Sequence, residues 1–474
     1  MKLWFGAVIC IAAILAACLP ARAGEITVGP HKMCPTIERA MAQAHAGDTI
    51  VIFPREDGEP YERVAINVDK AHLTIRGIHD KAGRRLCLSG QGVDYTGQGR
   101  MPRAIVQFGP DAEGGRLEGF ELVEAHNAEG NGAGVRIDRA SNVTIGDCEI
   151  HGCDMGIMSG GDGTTFAAAN QRIESCLIYA NGASARKGQS HNLYLGGTSA
   201  MITNSEVASS LDGHNIKSRC HLMLVRYCYI HDSANRELDL VDGERQTTRR
   251  LSDAVLLGNI IIKDPNGAGN HAVIHFGADG EFEHNGTLWL IHNTIVTPFA
   301  AAVAELSATQ TRVRLINNII WDGNTTEHGQ QLVQLAAGRP FSEVIISGSH
   351  NWLSKNFGNG PAAANLEASY IAPAGESPPF WDVARGDYHL KANDLHIVAA
   401  GLPWSQIVPL LPTTAAEARL PADLGQYKWP LATQARPKFH LEVAGDLGAY
   451  GFDVFMRPPK GEAGSESRPA THRW

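Results

Sequence analysis

Short runs of alternating hydrophobic and polar residues recur along the middle of the chain. Eight of these runs share one pattern, in which a small or amide residue stands two positions before a β-branched residue or leucine. The runs are GDCEI, ESCLI, TNSEV, RYCYI, LGNII, IHNTI, INNII and GSHNWL, and the paired positions are Cys148/Ile150, Cys176/Ile178, Ser205/Val207, Cys228/Ile230, Asn259/Ile261, Asn293/Ile295, Asn318/Ile320 and Asn351/Leu353. Alternation with a period of two is typical of strands rather than helices.

The spacing between these runs is irregular, from 23 residues between positions 205 and 228 to 34 between positions 259 and 293. A constant strand separated by loops of variable length indicates repeated coils of one architecture. In a coil of parallel strands, equivalent positions stack about 4.8 Å apart, so that asparagines can form a hydrogen-bonded ladder. The sequence therefore predicts an all-β fold, a parallel β-helix. The three cysteines of the pattern are interpreted as small buried hydrophobic residues.

The N-terminal part of the mature chain predicts a cap for this solenoid. CPTIERAMAQAHAGDTIVIFP predicts an amphipathic helix over residues 36–46 followed by a buried strand, and PYERVAINVDKAHLTIRG adds two strands. A solenoid needs a cap where its core would otherwise meet water. The helix is expected to cover the first coil.

The same segment carries a family resemblance. TIERAMAQAHAGDTIVI, YERVAIN and LTIRG resemble the opening of right-handed parallel β-helix proteins of the pectate-lyase-like superfamily, and the resemblance extends over residues 26–355. GDYHL at 386–390 and DLGAYGF at 446–452 are similar to the closing segment of secreted members. We expect one β-helix domain over residues 24–456. The Pro-, Gly- and Ser-rich residues 457–474 are expected to form a disordered tail.

The first residues predict export. Lys2, an apolar run and the small residues ARA before Gly24 indicate a signal peptide over residues 1–23, cleaved after Ala23. The alternative is LAAC at 15–18, which resembles a lipoprotein box and would leave a lipid anchor on Cys18. In both cases the protein is expected in the periplasm or outside the cell. No later stretch is long and apolar enough to predict a membrane span.

The charge and the cysteine content exclude some binding partners and some kinds of fold. The net charge is −9 without a basic block, which argues against nucleic acid. Seven cysteines follow Ala23, which is an odd number, and none of them form a CxxC pair. A disulfide framework is therefore not expected, and a single disulfide between Cys34 and Cys87 is the alternative. We expect a monomer.

The candidate chemistry lies on a second strand that follows the repeated one in four coils. These strands are HNLYLGG, HNIKSRC, RELDLVDG and HAVIHFG, and Leu193, Ile216, Leu238 and Ile274 should point inward. The neighbours predicted to point outward are Asn192, Tyr194, Asn215, Lys217, Arg219, Glu237, Asp239 and His275. His191, His214 and His271 begin three of the four strands. This is the densest polar cluster in the sequence.

In the superfamily that this sequence resembles, the groove along the β-helix usually holds an acidic polysaccharide. The resemblance therefore suggests β-elimination on a uronate chain as the reaction. That reaction needs neutralisation of the carboxylate, a base for the α-proton and an acid for the leaving oxygen. Lys217 is the candidate base, because Arg219 on the same face would lower its pKa. The candidate acids are Tyr194, His214 and His275, and the candidate substrate-binding residues are Asn192, His191, Arg236 and His271.

Calcium is the expected cofactor if a metal assists. Asn215, Glu237 and Asp239 could supply oxygen ligands. The chondroitinase B and alginate lyase group uses an Asn and a Glu-x-Glu pair for calcium together with a Lys base and an Arg, and RELD is similar to that acidic pair. In that group the Lys and Arg follow the pair, whereas here Lys217 and Arg219 precede it. Arg236 and Arg245 could take over those roles.

Two other classes of function stay open. One is a different carbohydrate enzyme, either a hydrolase that uses Asp239 and Asp242 or a uronate C5-epimerase. The epimerase motif Asp-Pro-His-Asp is matched only in part, by DPNG at 264–267. The other class is a non-catalytic glycan-binding solenoid, for which an aromatic content of 7% is low.

Overall fold

The computed structural model describes residues 23–411 and 447–449, except residues 57, 162–166, 184–186, 243–251, 271, 281, 285, 298–301, 327–328, 358–364, 379 and 391–393. The expected signal peptide, Cys18, Arg245, His271, the side chain of Asp242 and the expected tail 457–474 lie outside the described part.

The described chain is almost entirely β-structure, with helices α1 (Ile37–Gln43) and α2 (Trp404–Ile407) and short 3₁₀ turns at Val383–Arg385 and Val408–Leu410. The strands of the first coils are β1 Glu25–Val28, β2 Thr49–Ile52, β3 Ile66–Val68, β4 Thr74–Gly77, β5 Leu86–Ser89, β6 Ala104–Phe108, β7 Arg116–Glu118, β8 Phe120–Val123, β9 Ala133–Asp138, β10 Thr144–Gly146, β11 Glu149–His151 and β12 Met155–Gly160. Those of the middle coils are β13 Gln171–Glu174, β14 Leu177–Tyr179, β15 Leu193–Leu195, β16 Ser199–Thr203, β17 Glu206–Ala208, β18 Ile216–Ser218, β19 Leu222–Arg226, β20 Tyr229–His231, β21 Leu238–Asp242, β22 Ala254–Leu257, β23 Ile260–Ile262 and β24 Ile274–Ala278. Those of the last coils are β25 Thr287–Ile291, β26 Thr294–Val296, β27 Ala302–Leu306, β28 Gln310–Ile316, β29 Ile319–Trp321, β30 Gln331–Leu335, β31 Glu343–Ser349, β32 Trp352–Ser354, β33 Asn365–Glu367, β34 Tyr370–Ala372, β35 Phe380–Asp382 and β36 Asp387–Leu390.

Three long parallel sheets wrap one core, which confirms the predicted parallel β-helix. Sheet A has the order β1-β2-β4-β7-β10-β13-β16-β19-β22-β25-β28-β31-β33. Sheet B runs β34-β32-β29-β26-β23-β20-β17-β14-β11-β8-β5, and sheet C runs β3-β6-β9-β12-β15-β18-β21-β24-β27-β30. Each full coil contributes one strand to each sheet, and neighbours within a sheet come from successive coils. Only β35 and β36 pair antiparallel among the described strands.

A tight bend joins sheet A to sheet B in every middle coil. One residue of the bend has a positive φ between 49° and 66°, namely Asp147, Ser175, Asn204, Tyr227, Gly258, His292, Asn317 and His350 in successive coils. The next residue is the first member of each predicted pair, and all eight of these residues have no exposed surface. The left-handed residue turns the chain inward, which is why amide and small side chains enter the core there.

The buried asparagines form the predicted ladder. The backbone N–H of Asn259 donates to Oδ1 of Asn293 at 3.0 Å, that of Asn293 to Asn318 at 2.9 Å, and that of Asn318 to Asn351 at 3.0 Å. Each Nδ2 also donates to the next Oδ1, so every amide is satisfied along the axis. The cysteines of the pattern are buried, and all seven described cysteines are free. No bridge forms between Cys34 and Cys87.

The helix α1 covers the N-terminal end of the core, as predicted. Thr36 is its N-cap and accepts from the N–H of Arg39, and Ile37 and Ala40 are buried against the first coil. The helix ends at Gln43 rather than at residue 46, because Ala44 is already extended with ψ of 147°. None of the described helices is long and apolar enough to cross a membrane.

The C-terminal segment packs on the outer side of sheet B in the last coils. Phe380, Tyr388 and Leu390 form a second apolar cluster with Trp321 and Trp352. Residues 447–449 join it, since Gly448 N–H donates to the carbonyl of Asn317 and Ala449 N–H to Thr294. Sheet B is therefore covered here, whereas sheet C carries the polar residues considered next.

Candidate functional site

The candidate site is a column of side chains on the outer face of sheet C. Tyr194, Lys217, Asp239, His275 and Glu305 are register partners on the successive strands β15, β18, β21, β24 and β27. The residues just before them in the strands are Leu193, Ile216, Leu238, Ile274 and Ala304, and all are buried in the core. Because side chains alternate along a strand, the column faces away from the core. The outward orientation predicted for Tyr194, Lys217, Asp239 and His275 is therefore confirmed.

Asp239 is the centre of this column. Lys217 Nζ donates to its Oδ2 at 2.6 Å, and His275 Nδ1 lies 2.7 Å from its Oδ1. His214 Nε2 lies 3.5 Å from Oδ2, and Arg236 donates to Oδ1 at 3.4 Å. Only 2% of Asp239 is exposed, so this carboxylate is satisfied by its neighbours rather than by water.

Two further acids complete the charge balance. Asp279, in the loop after β24, accepts from Lys217 Nζ at 2.9 Å and from the guanidinium of Arg219. Arg236 donates to Glu305 at 2.5 Å. Three cations are thus matched by the three carboxylates of Asp239, Asp279 and Glu305. The exposed members of this network are Asp279, with 44% of its side chain accessible, and Arg219, with 24%.

Lys217 is held in the charged form, contrary to the sequence-based expectation that Arg219 lowers its pKa. Burial lowers the pKa of Lys217, but the attraction of Asp239 and the hydrogen bonds to Asp239 and Asp279 outweigh it, and the net direction is upward. Burial raises the pKa of Asp239, yet His275, His214 and Lys217 bring it well below its ordinary value. Lys217 therefore supplies a fixed positive charge and is a poor base at neutral pH.

His191 and His214 stack one strand apart at the start of β15 and β18. Their rings are nearly parallel, with centroids 5.1 Å apart, and His191 Nδ1 accepts the backbone N–H of His214. Burial, with Lys217 and Arg236 nearby, lowers the pKa of His214 to about 4, against the opposing pull of Asp239. Burial and His214 also lower the pKa of His191. Both rings are neutral at neutral pH and deeply placed.

The outward orientation predicted for Asn192, Asn215 and Glu237 is wrong. All three have no exposed surface. They form a buried polar column at the bend between sheets B and C. Asn192 Nδ2 donates to Asn215 Oδ1 at 2.8 Å, and Asn215 Nδ2 donates to Glu237 Oε2 at 2.7 Å. Lys263 Nζ, also fully buried, lies 3.8 Å from Glu237 Oε1.

The predicted calcium ligands do not share one site. The oxygens of Asn215 and Glu237 are used in the buried column, where Asn215 also accepts from Ser210 N–H and Glu237 from Ser233 N–H. Both oxygens of Asp239 face cations and imidazoles. Calcium requires several free oxygen ligands. These three residues therefore do not fit a calcium ion.

A separate group of ligand-type side chains lies on sheet B. Donor atoms of Glu121, Glu149 and His151 lie within 4.8 Å of one another. His151 is already paired with Glu121 at 3.0 Å, and Glu149 accepts from Tyr179 and Arg85. These pairings satisfy the group without a metal ion.

Sequence reasoning missed Asp279, Glu305 and Ser307. Glu305 could have been found by extending the strand alignment one coil further, since AVAEL places it opposite His275. Ser307 follows two residues later, and its Oγ lies 2.7 Å from His275 Nε2. Asp279 stands in a loop and reaches back two coils to Lys217, so no strand pattern reveals it. The predicted substrate-binding residue His271 lies outside the described residues.

The comparisons with known proteins concern the fold. No protein-family model and no curated protein matches this sequence. Among solved structures, pectate lyase Pel9A is similar with a TM-score of 0.53 and 12% identity, covering 91% of this chain and 97% of that one. An alginate lyase from Paenibacillus sp. str. FPU-7 has a TM-score of 0.43 and 13% identity over 74% of this chain and 99% of that one. Pectin methylesterase PemA from Erwinia chrysanthemi has a TM-score of 0.35 and 9% identity, covering 57% of this chain and 78% of that one. With three long parallel sheets and this likeness, the chain is a right-handed parallel β-helix protein with the fold of pectate lyase Pel9A.

Proposed function

We propose that this protein is an exported enzyme that cleaves an acidic, uronate-containing polysaccharide by β-elimination on the outer face of sheet C. One observation carries the proposal: Tyr194 in β15 stands beside Lys217 in β18 and Arg219 directly after β18. Tyr194 and Lys217 are register partners, and the guanidinium carbon of Arg219 lies 5.9 Å from the centroid of the Tyr194 ring. Elimination at a uronate needs a cationic pocket beside a group that transfers protons, and this arrangement offers both.

Lys217 and Arg219 are the groups that would neutralise the uronate carboxylate. Lys217 keeps its proton because Asp239 and Asp279 hold the pKa of the ammonium above its ordinary value despite burial. Arg219 is the more accessible of the two, and its present partner Asp279 has 44% of its side chain exposed. A substrate carboxylate can replace Asp279 at these two cations. Neutralisation of the carboxylate stabilises the carbanion-like transition state.

Tyr194 is the group that would move the protons. It is half-buried, whereas His214 is buried and both ring nitrogens of His275 are engaged, with Asp239 and Ser307. The phenolate of Tyr194, formed by loss of the hydroxyl proton to solvent, takes the α-proton of the sugar held beside it. The phenol then gives that proton to the leaving oxygen as the bond to this oxygen breaks. Lys217 thus changes from the base of the sequence-based hypothesis to a neutralising cation. Asp239 is not free to bind a calcium ion in this proposal, because Lys217, Arg236 and His275 take its two oxygens.

The test is a panel of polygalacturonate, alginate, hyaluronan and chondroitin sulfate, with the ultraviolet absorbance of unsaturated product ends as the measurement. We expect one of these polymers to give that absorbance. Tyr194→Phe removes only the hydroxyl and should lower the rate by about 10²- to 10⁴-fold, the usual size of a lost acid–base group.

Tyr179→Phe is the matched control, since Tyr179 lies on sheet B and its hydroxyl binds Glu149 at 3.0 Å. It should keep the wild-type rate. New reducing ends without absorbance would contradict elimination and favour a hydrolase. Binding of a polymer without any cleavage would favour the glycan-binding solenoid.

A further inference from the structure

Ser307, His275 and Asp239 lie in line across three successive coils of sheet C. Asp239 belongs to β21, His275 to β24, and Ser307 directly follows β27. His275 Nδ1 lies 2.7 Å from Asp239 Oδ1, and His275 Nε2 lies 2.7 Å from Ser307 Oγ. Both distances are those of strong hydrogen bonds. The imidazole therefore bridges a buried carboxylate and a serine hydroxyl.

The chemistry of the three groups fixes the direction of these hydrogen bonds. Asp239 is surrounded by Lys217, Arg236 and two histidines, so it is ionised and can only accept. His275 Nδ1–H then donates to Asp239, and in the neutral ring the lone pair of Nε2, 2.7 Å from Oγ, can accept the hydroxyl proton of Ser307. The other acceptor for this proton is the carbonyl of Ala278, at the longer distance of 3.3 Å. A serine whose proton points to an imidazole held by a carboxylate is the arrangement that activates an oxygen nucleophile.

The surroundings of Ser307 suit a small reacting group. The backbone N–H of Ala278 donates to Oγ at 2.8 Å, which supports this oxygen as its proton leaves. A side chain at position 277 would place its Cβ 2.4 Å from Oγ, and Gly277 has φ of 148°, so only glycine fits beside the serine. Ala278 and Ala308 are the buried neighbours. Small residues therefore pack around Oγ, and Ser307 keeps only 5% of its surface exposed.

We propose that Ser307 is the nucleophile of a second activity, the hydrolysis of small O-acyl esters, with His275 as its base and Asp239 as the residue that positions the imidazole. Ser307 Oγ attacks the acyl carbon while its proton passes to His275 Nε2. The bond from the acyl carbon to the alcohol oxygen breaks, and His275 protonates this departing oxygen to give the free alcohol. Water, deprotonated by His275, then attacks the acyl-serine and releases the carboxylic acid and free Ser307.

The substrate class rests on the proposed function. An acidic polysaccharide bound along sheet C would bring its hydroxyl esters to this strand. Because Ser307 is only 5% exposed, we infer the smallest common acyl group, acetyl, as the one transferred. The reacting side chains of the two centres differ. Ser307 and His275 serve ester hydrolysis, and Tyr194, Lys217 and Arg219 serve elimination, whereas Asp239 contacts both Lys217 and His275. Variants of Ser307 and of Tyr194 therefore test the two activities separately.

The experiment uses a fluorophosphonate probe on the whole protein, followed by mass spectrometry of the labelled peptide, and p-nitrophenyl acetate hydrolysis as a rate measurement. We expect the probe to label Ser307. Ser307→Ala should abolish the label, and both Ser307→Ala and His275→Ala should lower ester hydrolysis by at least about 10²-fold. Release of acetate from an acetylated uronate polymer should follow the same variants.

Ser159→Ala is the matched control. Ser159 Oγ also accepts a backbone N–H, that of Gly196 at 3.0 Å, and also contacts the carbonyl of the same residue, but it makes no described hydrogen bond to a histidine. It should keep the label and the rate. An unlabelled wild-type Ser307, or hydrolysis that persists in Ser307→Ala, would overturn the ester centre. The labelled peptide of the wild-type protein decides the question even if Ser307→Ala folds poorly. Absorbance of unsaturated ends on a deacetylated polymer tests the elimination centre separately.

Discussion

At the scale of single residues, the position of a side chain relative to the ends of its strand decides whether it meets water. Lys217 and Asp239 lie within β18 and β21 and face outward, as the alternation predicts. Asn215 and Glu237 directly precede these strands, at the bend from sheet B to sheet C, and both are buried. Alternation holds only where the backbone is pleated, so it does not apply to the residue in the bend.

Because of Glu237, the folding stability of the protein should depend on pH. Burial raises its pKa to about 7, against the opposing effects of Lys263 and of the hydrogen bonds from Ser233 and Asn215. Because the ordinary pKa is 4.5, the folded protein binds the proton more tightly than the unfolded chain does. The stability that the protonated acid contributes is thus present below about pH 4.5 and is lost as the pH rises to about 7.

We therefore expect the melting temperature of the wild type to fall more steeply than that of Glu237→Gln when the pH is raised from about 4.5 to about 7. Glutamine keeps the shape and acceptor oxygen but cannot ionise. Differential scanning calorimetry at several pH values measures both slopes. Parallel slopes would show that Glu237 does not titrate between the two states.

At the scale of elements, the asparagine ladder ties sheet A to sheet B in the last coils. Asn293 accepts both the backbone and the side-chain N–H of Asn259, and it donates to the carbonyl of Leu256 at 2.8 Å. Removing this amide leaves several buried groups without partners. Each such group costs about 1 to 3 kcal/mol.

Asn293→Ala should lower the free energy of unfolding by about 2 to 4 kcal/mol, measured by urea denaturation. Asn365→Ala is the control, because Asn365 is exposed in β33 and its side chain donates a long hydrogen bond to the exposed Glu367 at 3.4 Å. The control should stay within about 0.5 kcal/mol of the wild type. Equal losses in the two variants would mean that the ladder adds nothing to the strands themselves.

At the scale of the whole molecule, the coils contact mainly their neighbours, so that stability can vary along the axis. The N-terminal end is closed by α1, and the last coils are covered on sheet B by the C-terminal segment. Trp352 is the largest fully buried side chain and belongs to the cluster that joins this cover to β32. The cover therefore depends on a few aromatic contacts.

Trp352→Ala should destabilise the last coils by about 3 to 5 kcal/mol and leave the first coils protected. Hydrogen exchange measured by mass spectrometry should show faster exchange in β29, β32 and β34 but unchanged exchange in β7 to β12. Trp381→Ala is the control, since 38% of Trp381 is exposed. Uniform loss of protection along the whole chain would contradict this nearest-neighbour behaviour.

The sequence by itself determined the coiled architecture, the buried ladder, the N-terminal helix and the inward residues of sheet C. These features depend on local alternation and on one residue type repeated at one register, both of which can be recognised without knowing the loops. The tertiary structure decided which charges meet. Asp279 reaches Lys217 from a loop two coils away, Glu237 turns into the core at a bend, and Ser307 lies against His275 only because β24 and β27 stack in register. Such contacts are set by loop paths and bend geometry, for which residue spacing carries no rule.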